Sequence, residues 1–162
     1  MSAIRRWKKL LGIGLAVGMI ASVSVTGVPV QASSILDEVT DLETTEDSSE
    51  DTSYSLLRGL NLNYGTVKVQ KISSNEIGIY GLTQCHHACD TVYLSLYLER
   101  KVNGSYGTYK YWEFTANNAT SLSRGLNVAV PSGTYYRVRG YHAAKDGSKE
   151  STSTLTSGIL IK

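Results

Sequence analysis

Hydrophobic and polar residues alternate with a period of two through most of the chain after Leu60. Successive side chains of a β-strand point to opposite faces of the sheet, so this alternation is typical of strands with one buried face and one wetter face. Seven runs show it: 67–70, 77–80, 92–99, 111–114, 126–130, 135–139 and 159–161. The same region shows no convincing helical period, and the pattern therefore predicts an all-β domain.

Turn signals separate the seven runs. They lie at 73–75, 85–90, 103–104, 117–118, 131–133 and 146–147. Asn103-Gly104 and Asp146-Gly147 are of the type that supplies the positive φ angles of tight hairpins. Seven short strands with these turns predict a single antiparallel β-sandwich at 57–162, with a small barrel as the alternative.

Residues 1–32 have the three parts of a secretory signal peptide. An uncharged apolar run at 10–25 is followed by small residues at 30–32. A basic start precedes it, formed by Arg5, Arg6, Lys8 and Lys9. Polar residues and a proline interrupt the apolar run before the ~20 residues that a transmembrane helix needs. We therefore expect a secreted, extracellular protein with no stable membrane insertion after cleavage.

Charge divides sharply along the remaining chain. Residues 33–54 carry eight acidic side chains and no Lys or Arg, whereas residues 55–162 carry 12 basic and six acidic side chains. Residues 44–53 contain only Thr, Ser, Glu and Asp, which leaves nothing to bury. We expect 33–56 to be a disordered acidic spacer. The alternative is a pro-region or an intramolecular partner of the basic domain, which opposite charge would favour.

One segment indicates the fold more specifically than the alternation of hydrophobic and polar residues does. Gly133-Thr134-Tyr135-Tyr136-Arg137-Val138-Arg139, followed by Asp146-Gly147-Ser148, resembles the sixth-strand signature of fibronectin type III domains. The resemblance implies an immunoglobulin-like sandwich. It also places a tyrosine corner at Tyr136, whose hydroxyl would bond to the backbone upstream.

The chain after the signal also resembles a family of small exported proteins of Gram-positive bacteria, known only as a domain of unknown function. The matching pieces are 57–59, 80–83, 89–92, 97–100, 135–142 and 150–151. The resemblance implies secretion and a sandwich domain. It supplies no activity, cofactor or catalytic residue.

Two cysteines stand in the string Cys85-His86-His87-Ala88-Cys89. Export to an oxidising compartment favours a disulfide between Cys85 and Cys89, and a five-residue turn brings two Cα atoms within bonding range. A metal site is one alternative, because thiolates and imidazoles bind zinc and copper. Free or intermolecular thiols are another. The spacing matches no standard structural zinc pattern, so we expect no metal and no cofactor.

The usual catalytic signatures are absent. The sequence has no Gly-x-Ser-x-Gly, no phosphate-binding glycine-rich loop and no His-Glu-x-x-His. A hydrolase using His142 and Glu150, which face each other across the predicted 146–147 hairpin, would still need a nucleophile and an oxyanion site. We therefore do not expect an enzyme.

The outward face of the sixth predicted strand gives the best indication of function. If that strand pairs with the third, one face of the sheet carries Tyr93, Tyr97, Tyr135, Arg137, Arg139 and Tyr141. Tyrosine offers rigid contact area and arginine makes forked hydrogen bonds to anions. This face predicts a secreted, non-enzymatic binding module for an anionic cell-wall polymer, a glycan or an extracellular protein.

A secreted cationic, bacteriocin-like effector masked by its acidic segment is the first alternative function. Nucleic acid is not expected, because a charge of +6 on 55–162 is modest and no nucleic-acid-binding module is present.

Overall fold

The computed structural model describes residues 42–55 and 59–162, and this part of the chain contains eight strands and no helix. The strands are β1 (Glu43–Thr44), β2 (Ser48–Tyr54), β3 (Leu62–Ser73), β4 (Glu76–Val102), β5 (Ser105–Ala129), β6 (Thr134–Asp146), β7 (Ser148–Leu155) and β8 (Gly158–Ile161). No helix long and apolar enough to cross a membrane occurs in these ranges. The predicted signal peptide at 1–32 lies outside the described residues.

All eight strands belong to one sheet. The order is β1-β8-β6-β4-β3-β2, with β5 paired to β4 and β7 paired to β6. The sheet curls until β3 contacts β6 and β7 without pairing with them, and it is nearly barrel-shaped. The all-β prediction is confirmed, but the sheet is not clearly the predicted two-sheet sandwich.

Two long strands explain the difference. β4 has 27 residues and β5 has 25, and each continues through a position where the sequence predicted a turn. Gln84 pairs with Ser121 and Cys89 with Ala119, so four residues of β4 oppose a single residue of β5. Such a bulge bends a strand without ending it. The signals at 85–90 and 117–118 therefore mark bends that carry the hairpin from one half of the sheet to the other.

The predicted hairpin turns are present. Asn103 and Gly104 have φ of 51° and 85°, and Gly147 has φ of 68°. Asn103-Gly104 joins β4 to β5 directly, since Val102 pairs with Ser105. The left-handed conformation is accessible to Asn and Gly at little cost, so these residues fix the ends of the long hairpin.

The interior is built from one face of every alternating run. Its aliphatic members larger than alanine are Leu62, Val67, Val69, Ile77, Ile79, Val92, Leu94, Leu96, Leu98, Leu122, Val128, Val130, Val138, Ile159 and Ile161. Trp112 and Phe114 pack against them from β5 and are only partly buried. Each such buried aliphatic side chain contributes about 1.5–3 kcal/mol relative to an exposed one.

Tyr136 is fully buried on β6 and makes the bond that a tyrosine corner requires. Its hydroxyl donates to the backbone carbonyl of Pro131, five residues upstream, at 2.8 Å. The bond ties the turn before β6 to the interior.

Strand β2 lies inside the segment predicted to be a disordered spacer. It pairs with β3 over seven residues, from Ser48 opposite Gln70 to Tyr54 opposite Tyr64. The prediction of disorder is therefore wrong for this strand. The composition indicated disorder because β2 buries almost no apolar surface. Backbone pairing and polar side chains hold this strand instead.

Strand β2 also reaches β7, with which it forms no backbone ladder. Asp51 Oδ2 accepts from the backbone N–H of Leu155, the last residue of β7, at 2.8 Å, and Ser49 Oγ accepts from that of Ser157, just after β7, at 2.9 Å. The hydroxyls of Ser53 and Thr152 lie 2.7 Å apart. These side-chain hydrogen bonds take the place of the backbone hydrogen bonds that would otherwise pair the two edge strands.

The start of β3 is fixed to β7 in the same way. The Glu150 carboxylate accepts from the backbone N–H groups of Leu60, Asn61 and Leu62 at 3.0, 3.1 and 2.8 Å. We call this row of contacts, made by Ser49, Asp51, Ser53 and Glu150, the polar seam. It joins the two edges of the curled sheet.

Further contacts hold the acidic segment on the domain. Glu43 forms an ion pair with Lys101, and Asp47 lies 3.5 Å from Lys71. Each ion pair joins an acidic side chain of 33–54 to a basic side chain of 55–162.

Candidate binding site

Pairing of β6 with the second half of β4 brings the predicted tyrosines and arginines to one face. Tyr97 lies opposite Arg139, and Tyr141 lies opposite Ser95. This is the strand pairing that the sequence predicted.

Three of these tyrosines line a groove of about 410 Å³. Its walls are Tyr93, Ser95, Tyr97, Glu113, Phe114, Thr115, Tyr141 and Lys149, and we call it the tyrosine groove. The strands β4, β5, β6 and β7 each contribute to it. A groove built on four paired strands is held in a fixed shape by the sheet.

Aromatic and cationic side chains pack against each other along the groove. The rings of Tyr97 and Tyr111 are stacked, with centroids 6.2 Å apart and planes 19° from parallel. The Lys149 ammonium lies 4.5 Å from the ring centroid of Tyr93 and 5.5 Å from that of Tyr141. Tyr111 is 64% exposed at the border. The surface is therefore aromatic and accessible to solvent.

The groove contains one acid and one base. Within the described residues the Glu113 carboxylate makes no hydrogen bond or ion pair, and Lys149 contacts only aromatic rings. Their charges cancel, so the groove is polar without a net charge.

Arg137 and Arg139 do not provide the predicted anion-binding surface. Both guanidinium groups donate to Glu99, Arg137 Nε to Oε2 at 2.8 Å and Arg139 Nε to Oε1 at 3.0 Å. Arg137 is only 6% exposed, and its guanidinium lies 4.0 Å from the Tyr106 ring centroid. The prediction is wrong for Arg137, because a carboxylate on the paired strand occupies it and a tyrosine covers it.

The other residues predicted for this face differ in their position and contacts. Arg139 is partly exposed but packs on the Tyr97 ring, 4.2 Å from its centroid. Tyr135 lies opposite Leu160 of β8, is half-buried, and does not line the groove. Of the six predicted residues, the structure brings Tyr93, Tyr97 and Tyr141 together in one site.

Sequence reasoning missed the groove residues from neighbouring strands. Ser95 shares the face of Tyr93 and Tyr97, and its position between them was a usable signal. Glu113 and Lys149 enter only through pairing of β4 with β5 and of β6 with β7, with Ser95 opposite Glu113. The sequence gives no register for those pairs.

The two cysteines are free and buried in this structure, and the predicted disulfide stays a prediction. Burial, reinforced by a hydrogen bond with Cys89, raises the pKa of Cys85 to about 12, so this thiol is protonated at neutral pH. His87 bonds to Asp146 at 2.9 Å. Within the described residues, no three His, Cys, Asp or Glu side chains are placed to hold a metal ion.

His142 is fully buried in the interior and bonded on both ring nitrogens. Nδ1 lies 3.0 Å from the Thr83 hydroxyl, and Nε2 lies 2.8 Å from the Thr154 hydroxyl. A side chain at Gly65 or Gly140 would collide with the imidazole. Burial lowers the pKa of His142 to about 4, so the ring is neutral at pH 7.

The structure does not bring His142 and Glu150 together as a hydrogen-bonded pair, and the hydrolase alternative stays a prediction. His142 bonds to two threonine hydroxyls, and Glu150 bonds to the backbone at the start of β3. Each group is saturated by structural partners, and the two do not bond to each other.

Comparison with known proteins places these strands in a family. Residues 37–158 match a family of unknown function (DUF6147). The chain belongs to this family. The match begins before β1 and ends at residue 158, so it covers the acidic strand β2 and six of the seven alternating runs, all but 159–161. Comparison with curated proteins gives no match.

One solved structure shows a distant likeness. It is the crystal structure of the sporulation control protein Spo0M from Bacillus subtilis, which is 11% identical with a TM-score of 0.37. The similar region covers 72% of this chain and 51% of that chain, and so spans about half of the Spo0M length.

Proposed function

We propose that the protein is a secreted, non-enzymatic binding module and that the tyrosine groove holds an uncharged, hydroxyl-rich glycan. The observation that carries the proposal is the groove itself, in which three tyrosines from paired strands surround a polar, solvent-accessible space. Tyrosines on a rigid sheet bind at low entropic cost, and their hydroxyls add hydrogen bonds to the contact area.

Charge favours a neutral glycan over an anionic polymer. Glu99 occupies the two arginines of this face, and Glu113 and Lys149 balance each other in the groove. An anionic polymer would meet the Glu113 carboxylate without a compensating excess of cations. A sugar would instead meet hydroxyls, a carboxylate acceptor and an ammonium donor, all of which hydrogen-bond to sugar hydroxyls.

Action outside the cell rests on the sequence of residues 1–32, which has the parts of a secretory signal. The resemblance to exported proteins of Gram-positive bacteria supports the cell envelope as the place of action. A wall glycan is then the nearest hydroxyl-rich polymer.

The masked cationic effector is the second hypothesis. The ion pairs of Glu43 with Lys101 and Asp47 with Lys71 favour it, because acidic side chains of 33–54 pair with basic side chains of 55–162. It predicts growth inhibition by residues 57–162 that residues 33–54, added separately, suppress. The glycan hypothesis predicts no inhibition.

Co-sedimentation with Gram-positive cell walls tests the glycan proposal. Purified protein is pelleted with intact walls and with walls stripped of anionic polymers, across a salt titration. We expect equal binding to both preparations that persists at about 1 M salt, where charges are screened beyond about 3 Å. Tyr97→Ala and Tyr141→Ala should each weaken binding about tenfold or more, as loss of a central aromatic contact does.

Tyr80→Ala is the matched control, since Tyr80 is 40% exposed on the first half of β4 and lies outside the groove. It should bind as the parent does. Absence of binding to both wall preparations, or salt-sensitive binding that the groove variants leave unchanged, would refute the proposal.

A further inference from the structure

A second recess of about 300 Å³ lies at the β4–β5 hairpin, apart from the tyrosine groove. Its walls are Arg100, Val102, Ser105, Tyr106, Gly107, Thr108 and Tyr109. The recess combines one guanidinium with several hydroxyl groups.

Arg100 is half-buried and has no acidic partner in the part of the chain that the structure describes. Its guanidinium lies 5.0 Å from the ring centroid of Tyr109. This contact orients the guanidinium but leaves its charge uncompensated. A forked group with five N–H donors retains capacity for a further acceptor.

The acids nearest the recess are occupied by other cations. Glu99 is 7% exposed and receives hydrogen bonds from Arg137 and Arg139. Glu43 forms an ion pair with Lys101 and accepts from Tyr106 at 3.5 Å. Neither carboxylate is available to Arg100.

A second cation lies near the recess without lining it. The Lys110 ammonium lies 5.3 Å from the ring centroid of Tyr109, and its only hydrogen bond within the described residues is to the carbonyl of Ala129 at 3.4 Å. Lys110 therefore adds positive charge near the recess, and Arg100 is the cation of the recess itself.

We infer that the hairpin recess is a binding site for a phosphate group, held by Arg100 with the hydroxyls of Ser105 and Thr108 as further donors. A phosphate presents acceptor oxygens in several directions, which fits donors arriving from two strands. Arginine binds such a group with two parallel hydrogen bonds. The inference does not depend on the tyrosine groove.

Titration of the ¹⁵N-labelled protein with inorganic phosphate at constant ionic strength, set with chloride, tests the inference. We expect saturable amide shifts centred on residues 105–109. Arg100→Gln should weaken binding about tenfold or more, because the ligand loses charge-assisted hydrogen bonds. Arg124→Gln is the matched control, since Arg124 lies over the Phe114 ring, has no acidic partner in the described ranges and is outside the recess.

A second pair of variants leaves Arg100 in place. Gly107 lies directly opposite Arg100, and a Cβ at Gly107 would meet no atom within 4 Å. Gly107→Asp should pair with Arg100 and weaken phosphate binding about tenfold, because it supplies the missing carboxylate. Gly107→Asn has the same size without the charge and should weaken phosphate binding much less than Gly107→Asp does, because it brings no competing carboxylate to Arg100.

Saturable binding lost in Gly107→Asp and kept in Gly107→Asn would establish the site even if Arg100→Gln failed to fold. Shifts that rise linearly without saturation, shifts spread evenly over the lysines, or equal weakening by both Gly107 variants would overturn it. An equal response to acetate would overturn the assignment to phosphate.

Discussion

The curled sheet is held together in two different ways. Across the interior, β4 and β6 contribute fully buried side chains such as Leu96 and Val138. Along the polar seam, β2 and the start of β3 meet β7 only through side-chain hydrogen bonds. Burial of apolar area is non-directional and large, whereas each hydrogen bond adds a small net stabilisation and requires exact geometry. The interior should therefore determine global stability, and the seam should determine where the sheet opens.

Truncation of the interior should have the largest effect. Leu96 is fully buried, and a Cβ at Gly81 would approach its side chain to 2.6 Å, which shows how closely the site is packed. Leu96→Ala should lower the free energy of unfolding by about 4 kcal/mol, from lost burial and the cavity left behind. Urea denaturation measures this. Leu60→Ala is the control, since Leu60 is 79% exposed and its replacement should change stability little.

His142 makes the interior sensitive to acid. Its pKa falls from 6.5 in the unfolded chain to about 4 in the folded protein because the ring is buried. Between these values the unfolded chain binds the proton and the folded protein does not, so stability is lost as the pH falls from about 6.5 to about 4. The loss should approach about 3 kcal/mol.

Denaturation of the parent and of His142→Gln at several pH values measures this loss. His142→Gln does not titrate, so the difference between the two proteins should vary with pH. His86→Gln, at an exposed histidine, should follow the parent. A constant difference between the parent and His142→Gln from pH 7 to pH 4 would contradict the role given to burial.

The two regions also differ in how far the sequence predicted them. The seven alternating runs lie in strands, apart from Val130 just after β5, because a buried face leaves a period-two pattern. Strands β2 and β7 were missed, since SSEDTSY and SKESTSTL contain almost no apolar residue. Their stability comes from partners that only the folded chain supplies.

The same reason limited prediction of the candidate site. The period of two correctly placed Tyr93, Tyr97 and Tyr141 on one face. It gave no register between strands, so it did not reveal that Glu99 lies opposite Arg137. It also did not show that Arg100 lies opposite a glycine at the recess. The local sequence pattern determines which face of a strand a side chain points to. Whether its charge is neutralised depends on a residue that is distant in the sequence.

Loss of a seam carboxylate should have the smallest global effect of the three changes. Glu150→Gln leaves one neutral oxygen for the three backbone N–H groups that the carboxylate now satisfies. The free energy of unfolding should fall by about 2 kcal/mol, the range of hydrogen bonds to a charged group. Amide hydrogen exchange should locate the loss of stability. Relative to the parent, the exchange rate should increase more for residues 60–62 and strand β2 than for the second half of β4.

Glu113→Gln makes the same chemical change at a carboxylate that has no hydrogen bond or ion pair in the described part of the chain. It should leave both stability and exchange unchanged. If Glu150→Gln accelerated exchange uniformly over β2, β4 and β6, the seam would open only with the whole sheet, because local opening exposes only the amides it frees. The seam and the interior would then be one cooperative unit, and the different chemistry of the two regions would not separate them in stability.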